Sequence, residues 1–143
     1  MAMEPGPHDL DVTRLVYTPE GAALVRPVIF DFYKALDTDF DGFAGHMLVS
    51  RHRFEKAWST WEIHPNGDET VILIAGDVDI VLWLDDTEQV FRVTEPGTYI
   101  VVPKGIWHTA RPRTVTTMVF LTHGEGTRHA EHPETQDQSI SNG

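Results

Sequence analysis

Residues 58–76 read WSTWEIHPNGDETVILIAG. Glu62 and His64 lie two apart in an alternating run, so on a strand they share one face. Pro65, Asn66, Gly67 and Asp68 then carry a turn signal. Glu69 follows, and Val71, Leu73 and Ala75 keep its parity. The pattern predicts a hairpin with Glu62 and His64 on one arm and Glu69 at the start of the other. Gly76-Asp77 marks a second turn. Two carboxylates and an imidazole beside one turn make a donor set for a divalent first-row metal.

Working outward, residues 97–108 read GTYIVVPKGIWH. This is an apolar strand ended by Pro103, a turn at Gly105 and a histidine three residues on. Together the two stretches resemble the paired motifs of the cupin superfamily, G(X)5HXH(X)3,4E(X)6G and G(X)5PXG(X)2H(X)3N. His64, Glu69 and Gly76 fall at the spacings of the first, and Gly97, Pro103, Gly105 and His108 at those of the second. The resemblance covers residues 45–122. There are departures: Glu62 stands for the first histidine, Lys56 for the leading glycine and Pro112 for the closing asparagine.

The resemblance implies an all-β jelly-roll barrel, the double-stranded β-helix, with a short N-terminal helix here. It implies a metal inside the barrel, held position by position by Glu62, His64, Glu69 and His108. Two carboxylates and two neutral imidazoles neutralise a divalent ion, where three imidazoles and one carboxylate leave a charge of roughly +1. The neutral set is the weaker Lewis acid and favours harder ions: manganese or iron, with zinc or nickel as alternatives. The metal-free alternative is a pocket in which Glu62 and Glu69 crowd each other. One carboxyl pKa then rises unless His64 or His108 is protonated between them.

At 143 residues with 41% hydrophobic content, the chain is expected to be one domain. The expected boundaries are a flexible N-terminus over 1–9, the barrel over 10–123 and a flexible tail over 124–143. A net charge of −11 argues against nucleic acid or an anionic membrane as partner. No cysteine is present, so neither a disulfide nor a thiolate ligand enters the chemistry. The N-terminal MAMEPGPHDLD does not read as a signal peptide, and no apolar run approaches a membrane span. A cytoplasmic location is expected.

Asp11–Thr18 predicts a strand. Pro27 is read as opening a helix whose stripe is Ile29, Phe32, Tyr33 and Leu36, ended by the run from Asp37 to Gly42. That helix is expected to pack outside the β core or on a second subunit, and a homodimer is expected. Gly45–Phe54, Val78–Leu84, Gln89–Val93 and Thr114–Thr122 read as further strands, with turns at Asp85-Asp86 and Glu95-Pro96-Gly97. On the first of these, His46 and His52 are candidates to line a pocket or to sit half-exposed. From His123 the chain has almost no apolar residues, so His123, His129 and His132 are expected to be incidental, and removing 125–143 to leave stability nearly unchanged.

Trp61 and Trp107 adjoin proposed ligands and on strand parity face away from them. Trp58 has the parity of Glu62 and is expected to line the pocket, with Val71, Leu73, Tyr99, Met118 and Phe120 as further wall. The expected function is a small metal-dependent enzyme acting on a small organic molecule, of oxygenase or isomerase/lyase type, with Glu62 as general base. The alternative is a non-catalytic small-molecule-binding or sensor cupin.

Overall fold

The computed structural model describes residues 4–133. Two antiparallel sheets face each other. The six-stranded sheet runs in the order β2 (Ala23–Pro27), β1 (Thr13–Tyr17), β3 (Met47–Phe54), β10 (Thr116–Thr122), β5 (Glu69–Ala75), β8 (Tyr99–Val102). The five-stranded sheet runs β11 (Arg128–Ala130), β4 (Trp61–Ile63), β9 (His108–Pro112), β6 (Val78–Leu84), β7 (Thr87–Val93). The helix α1 (Phe32–Asp39) lies between β2 and β3.

The alternation read from the sequence buries one residue in two. Val71 and Leu73 of β5, Met118 and Phe120 of β10, and Ile80, Leu82 and Ala110 from the opposite sheet interleave as the main core. Asp85 and Asp86 both take positive φ (53° and 58°), the backbone of a two-residue hairpin turn joining β6 to β7. Gly76 closes β5 at φ 118°, and a Cβ there would stand 2.6–2.7 Å from Thr116 and the Val115 carbonyl. Only glycine fits that approach.

Three expectations need correction. Glu62/His64 and Glu69 are not two arms of a hairpin. β4 belongs to the five-stranded sheet and β5 to the six-stranded one, so the turn 65–68 crosses from layer to layer. The side chains therefore meet across the sandwich rather than side by side.

The helix does not begin at Pro27. That proline ends β2, paired with Thr13, and α1 starts five residues later. The turn Thr18–Gly21 between two apolar runs is the signal for the β1–β2 hairpin, closed by Gly21 N–H donating to the Thr18 carbonyl (2.9 Å). Phe32 and Leu36 of the expected stripe are buried, whereas Ile29 and Tyr33 are exposed. As expected, α1 packs outside the main β core: Phe32 and Leu36 join Val16, Phe43 and Leu48 in a second, separate cluster.

The segment after His123 is not loose as far as it is described. Arg128, His129 and Ala130 pair with Ile63, Glu62 and Trp61, and Pro133 is fully buried. Outward-facing Trp61, Ile63, Val81 and Trp107 form a third cluster, with Trp83 and Ala130 packed against it. Residues 134–143 of the expected tail, and 1–3 of the expected flexible N-terminus, lie outside the described residues.

Candidate metal centre

His64 follows β4, Glu69 opens β5 and His108 opens β9. Two backbone contacts bring their loops together: Gly105 N–H donates to the His64 carbonyl (2.9 Å), and Lys104 N–H donates to Asp68 Oδ1 (2.8 Å). The Pro103–Gly105 turn is thereby fastened to the 65–68 turn. Glu62 faces His108 directly across the β4–β9 pair, and residues directly opposite on paired strands share a face.

The three innermost groups are buried at 2–4% exposure. Glu69 Oε1 lies 3.0 Å from His108 Nε2, and Glu69 Oε2 lies 3.3 Å from His64 Nε2. Neither contact is aligned as a hydrogen bond: His64 Nε2, Glu69 Oε1 and His108 Nε2 are all buried without a hydrogen-bond partner. Such atoms are costly unless something else satisfies them.

The far nitrogens are committed. His108 Nδ1 donates to the Ile106 carbonyl (3.2 Å). Thr127 gives its one hydroxyl proton to the Gly124 carbonyl (2.9 Å), so its oxygen accepts from His64 Nδ1 (2.8 Å). Both neutral imidazoles therefore turn an Nε2 lone pair toward Glu69, the tautomer a metal ligand needs. Thr122 Oγ1 donates to Glu69 Oε2 (2.5 Å), orienting the carboxylate in turn.

The residues present fit a divalent ion. Glu62, His64 and His108 each offer a ligand atom, all within 4.8 Å of one another. Two ligand atoms each ~2.1 Å from one ion and at right angles lie ~3.0 Å apart, the spacing of the Glu69 contacts. Glu62, half-buried, also meets His129 Nε2 at 3.4 Å. That contact moves the His129 pKa up, against the partial burial that would lower it.

Glu62, His64, Glu69 and His129 line a cavity of about 690 Å³, with residues of the main core and of the α1 cluster completing its wall. Trp58 lines it as parity predicts, packed on Phe54, Phe120 and the His108 ring. Phe120 lines it too, and so does His52. Burial pushes the His52 pKa down, with Arg14 adding to the shift. His46 does not reach it; its ring packs on Phe40 and Phe43. Val71, Leu73 and Met118 are in the solid core instead of the wall. Tyr99 is 60% exposed, because it pairs with Ile72 on the outer face of β5 rather than with Val71.

Sequence reasoning missed Thr122, Thr127 and His129. Thr122 shares the inward parity of Met118 and Phe120 and was legible on that ground. His129 carried no local signal, because it becomes part of the site only by strand pairing with Glu62. Of the other tail histidines, His132 packs against the ring of Trp83.

Burial alone would raise the Glu69 pKa; the contacts of His108 and His64 outweigh it and hold the carboxyl well below the usual range. Burial alone would lower His108; the Glu69 contact reverses this and moves it up. A lowered carboxyl contributes stability above its unfolded pKa that is lost as pH falls through the folded value. A raised histidine contributes below its unfolded pKa, and that is lost as pH rises through the folded value. In metal-free protein both contributions are complete between roughly pH 4.3 and 6.5, so chelator-treated protein is expected to melt higher at about pH 6 than at about pH 8.5. Metal reverses the order, because ligation needs neutral imidazoles and occupancy falls below roughly pH 6. Melts at both pH values with and without chelator check this. Full occupancy persisting at about pH 4 would exclude the histidines as ligands.

An antiparallel jelly roll with a His/Glu cluster inside its cavity is the class that fold and site define. No family model matches the chain, and no curated protein matches it. Among solved structures it is similar to a point variant of oxalate decarboxylase from Bacillus subtilis (TM-score 0.50, 17% identity, 67% of this chain and 28% of that one). It is also similar to a cupin-2 domain containing protein from Shewanella frigidimarina (TM-score 0.45, 21% identity, 52% of this chain and 68% of that one). A third is an oxalate oxidase (TM-score 0.49, 19% identity, 57% and 44%). The chain thus spans less than half of either oxalate enzyme. The chain shares the antiparallel jelly-roll fold of the decarboxylase structure.

Proposed function

We propose that this protein is a metal-dependent enzyme acting on a small organic molecule in the cavity, with His64, Glu69, His108 and Glu62 holding a divalent ion. The observation that carries the reading is the trio of buried, unpartnered atoms His64 Nε2, Glu69 Oε1 and His108 Nε2. The donor set favours manganese or iron over zinc or nickel. When bound, such an ion supplies Lewis-acid or redox chemistry to the adjoining cavity.

The remaining roles fall to this chain's side chains. Trp58, Phe54 and Phe120 offer an apolar wall, and Leu36 and Phe43 from the α1 region exclude water at the mouth. Glu62, less buried than Glu69 and beside His129, is the residue to take a substrate proton. Oxygenase chemistry goes with iron or manganese, isomerase or hydrolytic chemistry with zinc. A non-catalytic binding or sensor role is the second reading, favoured by the 3.0 and 3.3 Å Glu69–His contacts taken as metal-free ion pairs. Metal analysis of protein purified without a metal-affinity tag tests the choice, and protein free of metal in every preparation supports the second reading.

Glu62→Ala is expected to weaken metal binding by about tenfold or more, and Glu62→His to restore it with selectivity shifted toward nickel, copper or zinc. Glu62→Gln with metal retained and turnover lost would make Glu62 the base and not a ligand. Unchanged metal content, turnover and melting temperature in Glu62→Ala would remove this residue from the site.

We also infer a homodimer, on the ground that Ile74, Tyr99 and Val101 are exposed together at the β5–β8 edge of the larger sheet. Sedimentation at micromolar concentration is expected to give twice the 16.1 kDa chain mass. A mass of one chain would sink the inference.

A further inference from the structure

The inner face of β3 carries a polar pair that the His/Glu cluster does not use. Leu48, Ser50 and His52 share strand parity, and all three line the cavity. Ser50 is only 3% exposed, and His52 is half-buried. No hydrogen bond joins the Ser50 hydroxyl or either His52 ring nitrogen to another described residue. By contrast His46, His64 and His108 each commit a ring nitrogen to the chain. A hydroxyl and an imidazole so placed carry a desolvation cost that no group of the chain offsets.

Strand pairing fixes where this pair stands. Across β3 and β10, Leu48 faces Thr122, Ser50 faces Phe120 and His52 faces Met118. Thr122 is the residue that holds Glu69. Leu48 is therefore level with the His/Glu cluster, and Ser50 and then His52 lie further along the strand. At ~3.4 Å per residue their offsets from that level are about 7 and about 14 Å. The wall between is aromatic: His52 to Phe120 at 5.6 Å, Phe120 to Trp58 at 5.9 Å and Trp58 to His108 at 6.4 Å. Burial and then Arg14 push the His52 pKa down, against the opposing pull of Glu62 and Glu69. The ring is thus uncharged near neutral pH, with one nitrogen to donate and one to accept.

We propose that Ser50 and His52 together bind an uncharged hydroxyl of the ligand. The molecule taken by this cavity then carries that hydroxyl roughly 7–14 Å from the end that meets the His/Glu cluster. Its apolar body lies along Phe120 and Trp58. The proposal rests on the reading of this cavity as the ligand site, and does not need the metal. Same-face neighbours on a strand are about 7 Å apart, so one oxygen between them is within reach of both. A hydroxyl donates and accepts at once, which matches a serine beside a neutral imidazole. A pair that holds a hydroxyl rejects the analogue lacking it, because its own polar atoms are then left unpaired.

The test is titration with phenol and with toluene, in which a methyl replaces the hydroxyl, on protein as purified and after chelation. Shifts of the aromatic ring protons in nuclear magnetic resonance report binding. Apolar transfer alone favours toluene, so the quantity read is the phenol-to-toluene affinity ratio and its change on mutation. In both preparations Ser50→Ala and His52→Phe are each expected to lower that ratio about fivefold or more, by weakening phenol alone. Neither variant is expected to melt below wild type, because neither polar group is satisfied by the chain. The Ala variant carries the test if the Phe variant fails to fold. An unchanged ratio in either folded variant would overturn the proposal and leave the cavity as a ligand site. No saturation by phenol at about 10 mM would overturn it together with that reading. A ratio that collapses on chelation and is indifferent to both residues would put the hydroxyl on the metal, overturning this proposal while supporting the metal reading. If Ser50→Ala lost more than about 5 °C in melting temperature with the ratio intact, Ser50 would be a structural residue of β3 and not a ligand contact.

Discussion

Ending the chain after His123 is expected to lower the melting temperature by more than about 10 °C and to cut metal affinity at least tenfold. The truncation removes β11 and its pairing with β4, leaving β4 at the sheet edge. It removes Thr127, the acceptor that holds His64 Nδ1, and the Glu125 carbonyl, which accepts from Asn66 Nδ2 (2.9 Å) in the 65–68 turn. It uncovers apolar surface around Trp61 and Ile63, against which Ala130 packs, and discards the buried Pro133. Lost hydrogen bonds at ~1 kcal/mol each and the newly exposed apolar area together exceed ~3 kcal/mol, or about 10 °C for a domain of this size. The metal effect comes separately, through the freed His64 ring and the loss of His129 beside Glu62. A truncated protein with unchanged melting temperature and metal content would show that β11 neither docks nor orders the site.

Glu69→Gln is expected to lower metal affinity by about a hundredfold or more. The carboxylate is the most central of the four groups, within 3.3 Å of both imidazole Nε2 atoms and held by Thr122. The amide keeps its volume but removes the charge that a divalent ion needs in a buried setting. One of its positions becomes an NH₂, a donor aimed where a cation would sit. Titration of chelated protein with manganese and iron, read by a binding isotherm and by the rise in melting temperature, checks this. Metal-dependent stabilisation should be absent in Glu69→Gln and present in wild type. Wild-type affinity in the variant would remove Glu69 from the ligand set.

Much of the barrel was legible in the sequence because strand parity is a local property. Val71 and Leu73 are buried by the same alternation that sets Glu69 inward, and Trp61 and Trp107 face away as their adjacency to Glu62 and His108 requires. Gly76 was legible as a turn residue, and its close approach to Thr116 explains why no other residue serves. Parity carries less across a break in pairing. Tyr99 was placed inward because nothing local states that it aligns with Ile72 and not with Val71.

By itself, then, the sequence determined an all-β architecture and Trp58 as cavity wall from period-two alternation and turn residues, while the jelly roll and the set Glu62, His64, Glu69 and His108 were what the motif resemblance implied. Tertiary structure alone decided that the 65–68 turn crosses between sheets, so that Glu69 approaches the histidines from the opposite layer. It also decided that α1 lines the cavity and that the chain around β11 brings Thr127 and His129 to the site. The physical reason is contact range. Burial of alternate residues is settled between neighbours in sequence, whereas hydrogen bonds and charges such as Thr127–His64, 63 residues apart, exist only once the chain has closed on itself.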